Sequence, residues 1–251
     1  MIVTIIKMIF LLGFLVLIHE AGHYMVAKLC KIKVNQFSIG FGKKLFSKNK
    51  NGTEYELRLI PLGGFVSLEG EEENSEKEGS FRKASIPKRI AVILAGAAVN
   101  IVFGILAYLI LILVRYIIVN NANFGEAFIY SIRAVQELIQ VMYQGFTELF
   151  SGNMSLNDMT GPVGISVMVS QTSGLTEFIY LLSIISISLG MTNLLPLIPL
   201  DGGKAILLII EGIRKKPLKE ETEAKIQMIG MAFIIFISLA VTFNDVGNLF
   251  R

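Results

Sequence analysis

The stretch GFLVLIHEAGHYMVAK, residues 13–28, sets two histidines and a glutamate into an otherwise apolar run. His19 and His23 are the only histidines in the 251-residue chain. With Glu20 they form the pattern H-E-x-x-H. On a helix, His19 and His23 fall about 40° apart around the axis and one turn apart along it. Two imidazoles so placed can bind one zinc ion, with Glu20 beside them as general base. Zinc lowers the pKa of bound water towards 7, and a glutamate can take the proton. Such a site needs a third protein ligand, and no histidine remains. Cys30 follows His23 by seven residues, beyond the apolar run. The best-placed carboxylate is Asp201, in TNLLPLIPLDGGKA.

Ionisable side chains at membrane depth are costly and mark function, so the elements that carry these residues matter. Hydrophobic residues make up 53% of the chain and charged ones 17%, with a mean hydropathy of +0.63. Four apolar stretches explain the excess: about 2–28, 90–119, 176–200 and 226–243, each near the roughly 20 residues a crossing needs. Residues 1–18 also have the look of a signal peptide with Lys7 as basic flank, but no small-residue cleavage site follows. The single cysteine excludes an internal disulfide. A net charge of +3 gives no reason to expect a nucleic-acid partner.

Basic residues orient the spans. Residues 28–89 hold thirteen of the 23, residues 204–225 hold six, and 116–175 hold one, Arg133. The positive-inside rule then places the first and third connections in the cytoplasm and both termini outside. At 1.5 Å per residue, His19 lies about 14 Å below the cytoplasmic end of its span, Asn100 about 15 Å and Asp201 at most about 20 Å. Three spans thus bring polar groups to a similar depth.

The first connection contains β-prone runs over about 31–69. Tyr55, Leu57 and Leu59 alternate with Glu54, Glu56 and Arg58 as in a half-buried strand. Gly63-Gly64 reads as a hairpin turn or a kink, and the acidic stretch 69–79 as a solvated loop. Pro87 suits the entry to the second span. Residues 124–150 behave differently. Phe124, Phe128, Ile132, Val135, Ile139, Met142, Phe146 and Leu149 recur at three- and four-residue steps, interrupted by Glu126, Arg133, Glu137 and Glu148. The pattern predicts an amphipathic helix at the outer interface, with a tilted fifth span or two short helices as the other options. The fold expected is an all-α polytopic membrane protein of about four spans, in a single domain, with a small cytoplasmic-side β-region.

At this point the chain resembles the site-2 proteases, intramembrane zinc metalloproteases. The resemblance rests on HEAGH, on IPLGGFV after the first span, on LAGAAVN in the second, and on GPVGI followed by NLLPLIPLDGG. It implies that His19, His23 and Asp201 bind one zinc ion and that Glu20 is the catalytic base. It also implies substrate-binding roles for Asn193, Pro196 and the strand segment at Gly63 and Gly64, and equates Asn100 with the family's second-span asparagine. Ala97 stands where many members have proline, and Pro199 falls one residue later than in some relatives. Many bacterial members carry a PDZ domain between the second and third spans; residues 120–172 are too few and too apolar for one.

The function expected is cleavage of transmembrane segments of membrane-protein or signal-peptide-like substrates, as in regulated intramembrane proteolysis, with the substrate and the lipid bilayer as partners. The resemblance further implies a multi-pass protein of a bacterial cell membrane. Two other readings of the same cluster are a membrane metal-ion transporter and a membrane-anchored zinc protease acting on soluble peptides. The histidines' depth counts against the second. A transporter would offer more than one metal station, and no other cluster at membrane depth is visible.

Overall fold

A computed structural model of the chain describes residues 2–71, 77–152, 155 and 158–249. The elements are α1 (Ile2–Leu29), β1 (Val34–Lys50), β2 (Thr53–Leu68), α2 (Ile86–Asn120), α3 (Phe124–Ser151), α4 (Pro162–Gln171), α5 (Leu175–Asn193), α6 (Asp201–Arg214) and α7 (Glu220–Leu249). Four of the described helices, α1, α2, α5 and α7, are long and apolar enough to cross a membrane. The protein is thus a polytopic helical membrane protein with one small antiparallel sheet. Of the acidic stretch 69–79, residues 72–76 lie outside the described residues.

The third span departs from the expected 176–200, because its helix stops at Asn193. Pro196 and Pro199 cannot continue a helical hydrogen-bond ladder, and the chain turns tightly instead. The Leu197 amide donates to Leu195 at 2.8 Å and the Leu200 amide to Leu197 at 2.8 Å. A new helix, α6, then starts at Asp201.

The chain divides into two compact units. One comprises 6–101 and 189–231. Its core joins Ala27, Ile32, Val34, Leu68, Phe81, Val92, Ile93, Ala205 and Leu208. The sheet turns at Asn51-Gly52, both at positive φ (53° and 76°), as a two-residue hairpin requires. The pair Gly63-Gly64 is not that turn. Both residues lie inside β2, and Gly63, at φ 110° beneath the Phe41 ring, marks a kink. Residues Gln36–Ile39 pair on one side with Gly64–Ser67 and on the other with Glu54–Leu57. The sheet is tied to α1 through Tyr24 and Tyr55, whose hydroxyls lie 2.6 Å apart. Lys28 adds a second tie by donating to Thr53 Oγ1 at 2.8 Å. Glu56 is buried in the sheet. Burial opposes its charge, but hydrogen bonds from Lys44 and Arg58 outweigh it and hold the carboxyl below the usual range.

The other unit comprises the described parts of 1–5, 102–188 and 232–251. The Asn123 side chain caps α3 by accepting from the Glu126 amide at 3.0 Å, and Gly152 closes it at φ 73°. Of the predicted apolar stripe, Val135 alone is buried in the protein. Ala127, Ser131 and Val135 are buried, whereas Phe124, Phe128 and Ile139 stay exposed. Small side chains let helices approach closely, and periodicity alone cannot separate a protein-facing stripe from a lipid-facing one. In GPVGI, Pro162 opens α4. Asp245 of α7 accepts from the amides of Gly161 at 3.0 Å and Gly164 at 2.8 Å, supplying from 80 residues away the cap that α4 lacks locally.

Candidate metal centre and active site

His19 and His23 sit one turn apart on α1, as their spacing requires. Against them lies α2, and two glycines make that approach possible. A Cβ on Gly22 would come within 2.6 Å of the Ala95 carbonyl oxygen. One on Gly96 would come within 2.5 Å of His23 Nε2 and 2.8 Å of His19 Nε2. The imidazoles therefore rest on bare backbone. His23 Nδ1 lies 2.8 Å from the Val92 carbonyl oxygen. A carbonyl only accepts, so Nδ1 carries the proton and Nε2 is left with its lone pair.

The third side of the site is the first turn of α6, where Gly202 and Gly203 let the 194–200 loop fold back onto the helix. A Cβ on Gly203 would meet the Leu197 carbonyl carbon at 2.5 Å, and one on Gly202 would meet the Leu194 carbonyl oxygen. On the next turns of α6, Glu211 takes two hydrogen bonds from Arg89 of α2, at 2.6 and 3.1 Å. This pair fixes α6 to the helix that carries Gly96. Asp201 arrives with Oδ2 3.2 Å from His19 Nε2 and 3.6 Å from His23 Nε2, while the two Nε2 atoms lie 3.1 Å apart.

Two imidazole nitrogens and a carboxylate oxygen at these separations fit a zinc ion. Tetrahedral ligands at Zn–N and Zn–O distances of roughly 2.0–2.2 Å stand about 3.3–3.6 Å from one another. Asp201 Oδ2 is buried with no hydrogen bond to it, as an oxygen reserved for a cation would be. Three protein ligands would leave a fourth position for water or substrate. The three residues are the one group of potential metal ligands found among the described residues.

Glu20 is on the same turn as His19 and hydrogen-bonds the Val66 backbone of β2. A Cβ on Gly64 would lie 3.7 Å from Glu20 Cγ, so β2 runs directly over the glutamate. A cavity of about 200 Å³ opens here, lined by the four site residues and by Phe65, Val66, Leu68, Glu71, Val92, Ile93 and Lys204. The other residues singled out in the sequence are dispersed. Gly64 borders the site, and Gly63 is buried beside it in β2. Asn100 is fully buried in α2, one turn beyond Gly96. Asn193 ends α5 with its side-chain amide donating to the Leu189 carbonyl at 3.0 Å, and Pro196 is exposed in the turn. None of these last three lines the cavity. Sequence reasoning missed Gly96, Lys204 and the helix after Asp201. The signals were the small-residue run Ala95–Ala98 and a lysine one turn after the aspartate.

Comparison with known proteins agrees with this geometry. The model of peptidase family M50 matches residues 7–237. A candidate zinc metalloprotease of Fusobacterium nucleatum is 25% identical over 342 aligned residues, covering 99% of this chain and 100% of that protein. A candidate zinc metalloprotease of Helicobacter pylori is 24% identical, covering 96% and 98%. The regulator of sigma-W protease RasP of Bacillus subtilis is 25% identical over 420 residues, covering 98% and 99%. With 251 residues here, these relatives carry internal stretches that this chain lacks, and where many members have a PDZ domain it folds α3 and α4. The chain belongs to peptidase family M50.

Proposed function

We propose that this zinc metalloprotease cuts peptide bonds of membrane-spanning substrates at the depth of its own histidines. The observation that carries the reading is the meeting of His19, His23 and Asp201 Oδ2 within 3.1–3.6 Å on helices of a membrane protein. His19 Nε2, His23 Nε2 and Asp201 would hold the zinc, whose chemistry when bound is to polarise a carbonyl and lower the pKa of water. Glu20 takes the proton of the attacking water and returns a proton to the leaving amide nitrogen.

A helical substrate hides its carbonyls in hydrogen bonds, so it must unwind before Glu20 can act. Gly64–Leu68 has a strand partner on one side only among the described residues, and Val66 and Leu68 line the cavity. An extended substrate would add to that edge through backbone hydrogen bonds. The fitting substrates are transmembrane regulators and signal-peptide-like segments. Residues 30–89 would face the cytoplasm, on the strength of their basic residues. A metal transporter is disfavoured by the single ligand cluster among the described residues.

The test is metal content and proteolysis in purified variants. His23→Phe and Asp201→Ala should lose zinc. Glu20→Gln should keep it while cleavage of a single-span peptide falls about 10²–10⁴-fold, the usual loss when a general base is removed. Full zinc retention in both ligand variants, or near-wild-type cleavage by Glu20→Gln, would sink the assignment.

A further inference from the structure

We propose that Lys204 is a catalytic residue of this site, its ammonium stabilising the negative charge that develops on the scissile carbonyl oxygen. The inference rests on the peptidase reading above and adds a residue to it. Among the described residues the cavity wall contains three carboxylates, Glu20, Glu71 and Asp201, and a single lysine or arginine, Lys204. The Lys204 amide donates to the Leu200 carbonyl at 3.1 Å, placing the residue in the first turn of α6. Its i+3 spacing from Asp201 puts both side chains on one face of that helix. Gly202 and Gly203 stand between them and carry no side chain that could shield the ammonium. No hydrogen bond or ion pair engages that ammonium among the described residues.

A half-buried lysine with no hydrogen bond or ion pair among the described residues carries a desolvation cost that an offsetting charge would relieve. The reaction supplies one. As the water oxygen bonds to the carbonyl carbon, its proton passes to Glu20 and the carbonyl π pair moves onto oxygen. The C–N bond then breaks, and the nitrogen takes the proton from Glu20. Negative charge therefore leaves Glu20, held at the β2 wall by Val66, and appears on the substrate oxygen, where Lys204 of the α6 wall can meet it. A fixed cation held in a protein cavity stabilises such an oxyanion more than one in bulk solvent does. An ammonium with three rotatable donors suits a single oxygen atom.

The experiment compares full-length wild type, Lys204→Met and Lys204→Arg in lipid nanodiscs, with a fluorogenic single-span peptide and a phosphonamidate peptide that mimics the tetrahedral state. Lys204→Met should keep one zinc per chain and an unchanged KM while kcat falls about a hundredfold, the loss typical of a missing oxyanion donor. The phosphonamidate should bind more weakly by a similar factor, and Lys204→Arg should recover part of both. Wild-type kcat in Lys204→Met, a loss confined to KM, equal phosphonamidate affinity, or loss of zinc would each overturn the role. Chelator-sensitive cleavage by the wild type tests the peptidase reading separately. If the wild type neither cleaves the peptide nor binds the phosphonamidate, both fall together.

Discussion

Gly96 shows how much a missing side chain can decide. It occupies the second span, yet it borders both imidazoles more tightly than any ordinary side chain could. A methyl group there would come within 2.5 Å of His23 Nε2, so one ring would have to swing out of the ligand triangle. Gly96→Ala should therefore lower zinc affinity by roughly tenfold or more, the scale seen when the support of a ligand is disturbed. Gly22→Ala should act through helix separation instead, because its new Cβ meets the Ala95 backbone. Zinc titration of detergent-solubilised variants checks this, and a Gly96→Ala protein that binds zinc like wild type refutes it. His23 itself is oriented by one hydrogen bond, to Val92, so the same stretch of α2 supplies both the space and the tautomer.

At the scale of elements, the question is how Asp201 comes to stand against residues 180 positions earlier. Two prolines end α5, two glycines let the turn fold back, and α6 begins with the aspartate itself. What holds α6 in place is the Arg89–Glu211 pair, with Arg89 also lying over the Phe81 ring at 5.3 Å. Both side chains are largely buried. Removing one partner of a buried pair leaves an uncompensated charge and costs about 3–5 kcal/mol, whereas replacing both by apolar groups is often neutral. Arg89→Met and Glu211→Leu should each lower thermal stability and weaken zinc binding, and the double variant should recover much of both. Single variants that melt with the wild type would show that the pair positions nothing. In α3, Phe124, Phe128 and Ile139 are exposed while Ala127 and Ser131 are buried.

For the whole molecule, the consequential feature is where the charge lies. Residues 28–89, between the first two spans, hold thirteen basic residues, and one lies in the long connection after the second span. This asymmetry should orient the first connection towards the cytoplasm. Cysteine placed at Lys50, exposed beside the β1–β2 turn, should react with an impermeant reagent only from the cytoplasmic side, in a Cys30→Ser background. Labelling of that position only from outside would reverse the topology. His19, Glu20, His23 and Asp201 all belong to one compact unit built from 6–101 and 189–231, and the chain between, including α3 and α4, belongs largely to the other.

The sequence by itself determined the chemistry and the spans. H-E-x-x-H must place two imidazoles on one helical face, a chain with no other histidine must find its third ligand elsewhere, and four uncharged or nearly uncharged runs have few alternatives to crossing a bilayer. Asp201 was legible because a carboxylate beside prolines and glycines at the end of an apolar run is costly without a use. Only the tertiary structure decided the rest. That Gly96 rather than a larger residue backs the histidines, that Val66 meets Glu20, and that Lys204 shares the cavity are contacts between segments far apart in sequence. No local periodicity encodes them. The kink in β2 and the buried face of α3 likewise depend on which neighbour each surface meets. Apolar spacing is the same whether protein or lipid lies opposite, so the sequence gives the stripe and packing selects the face.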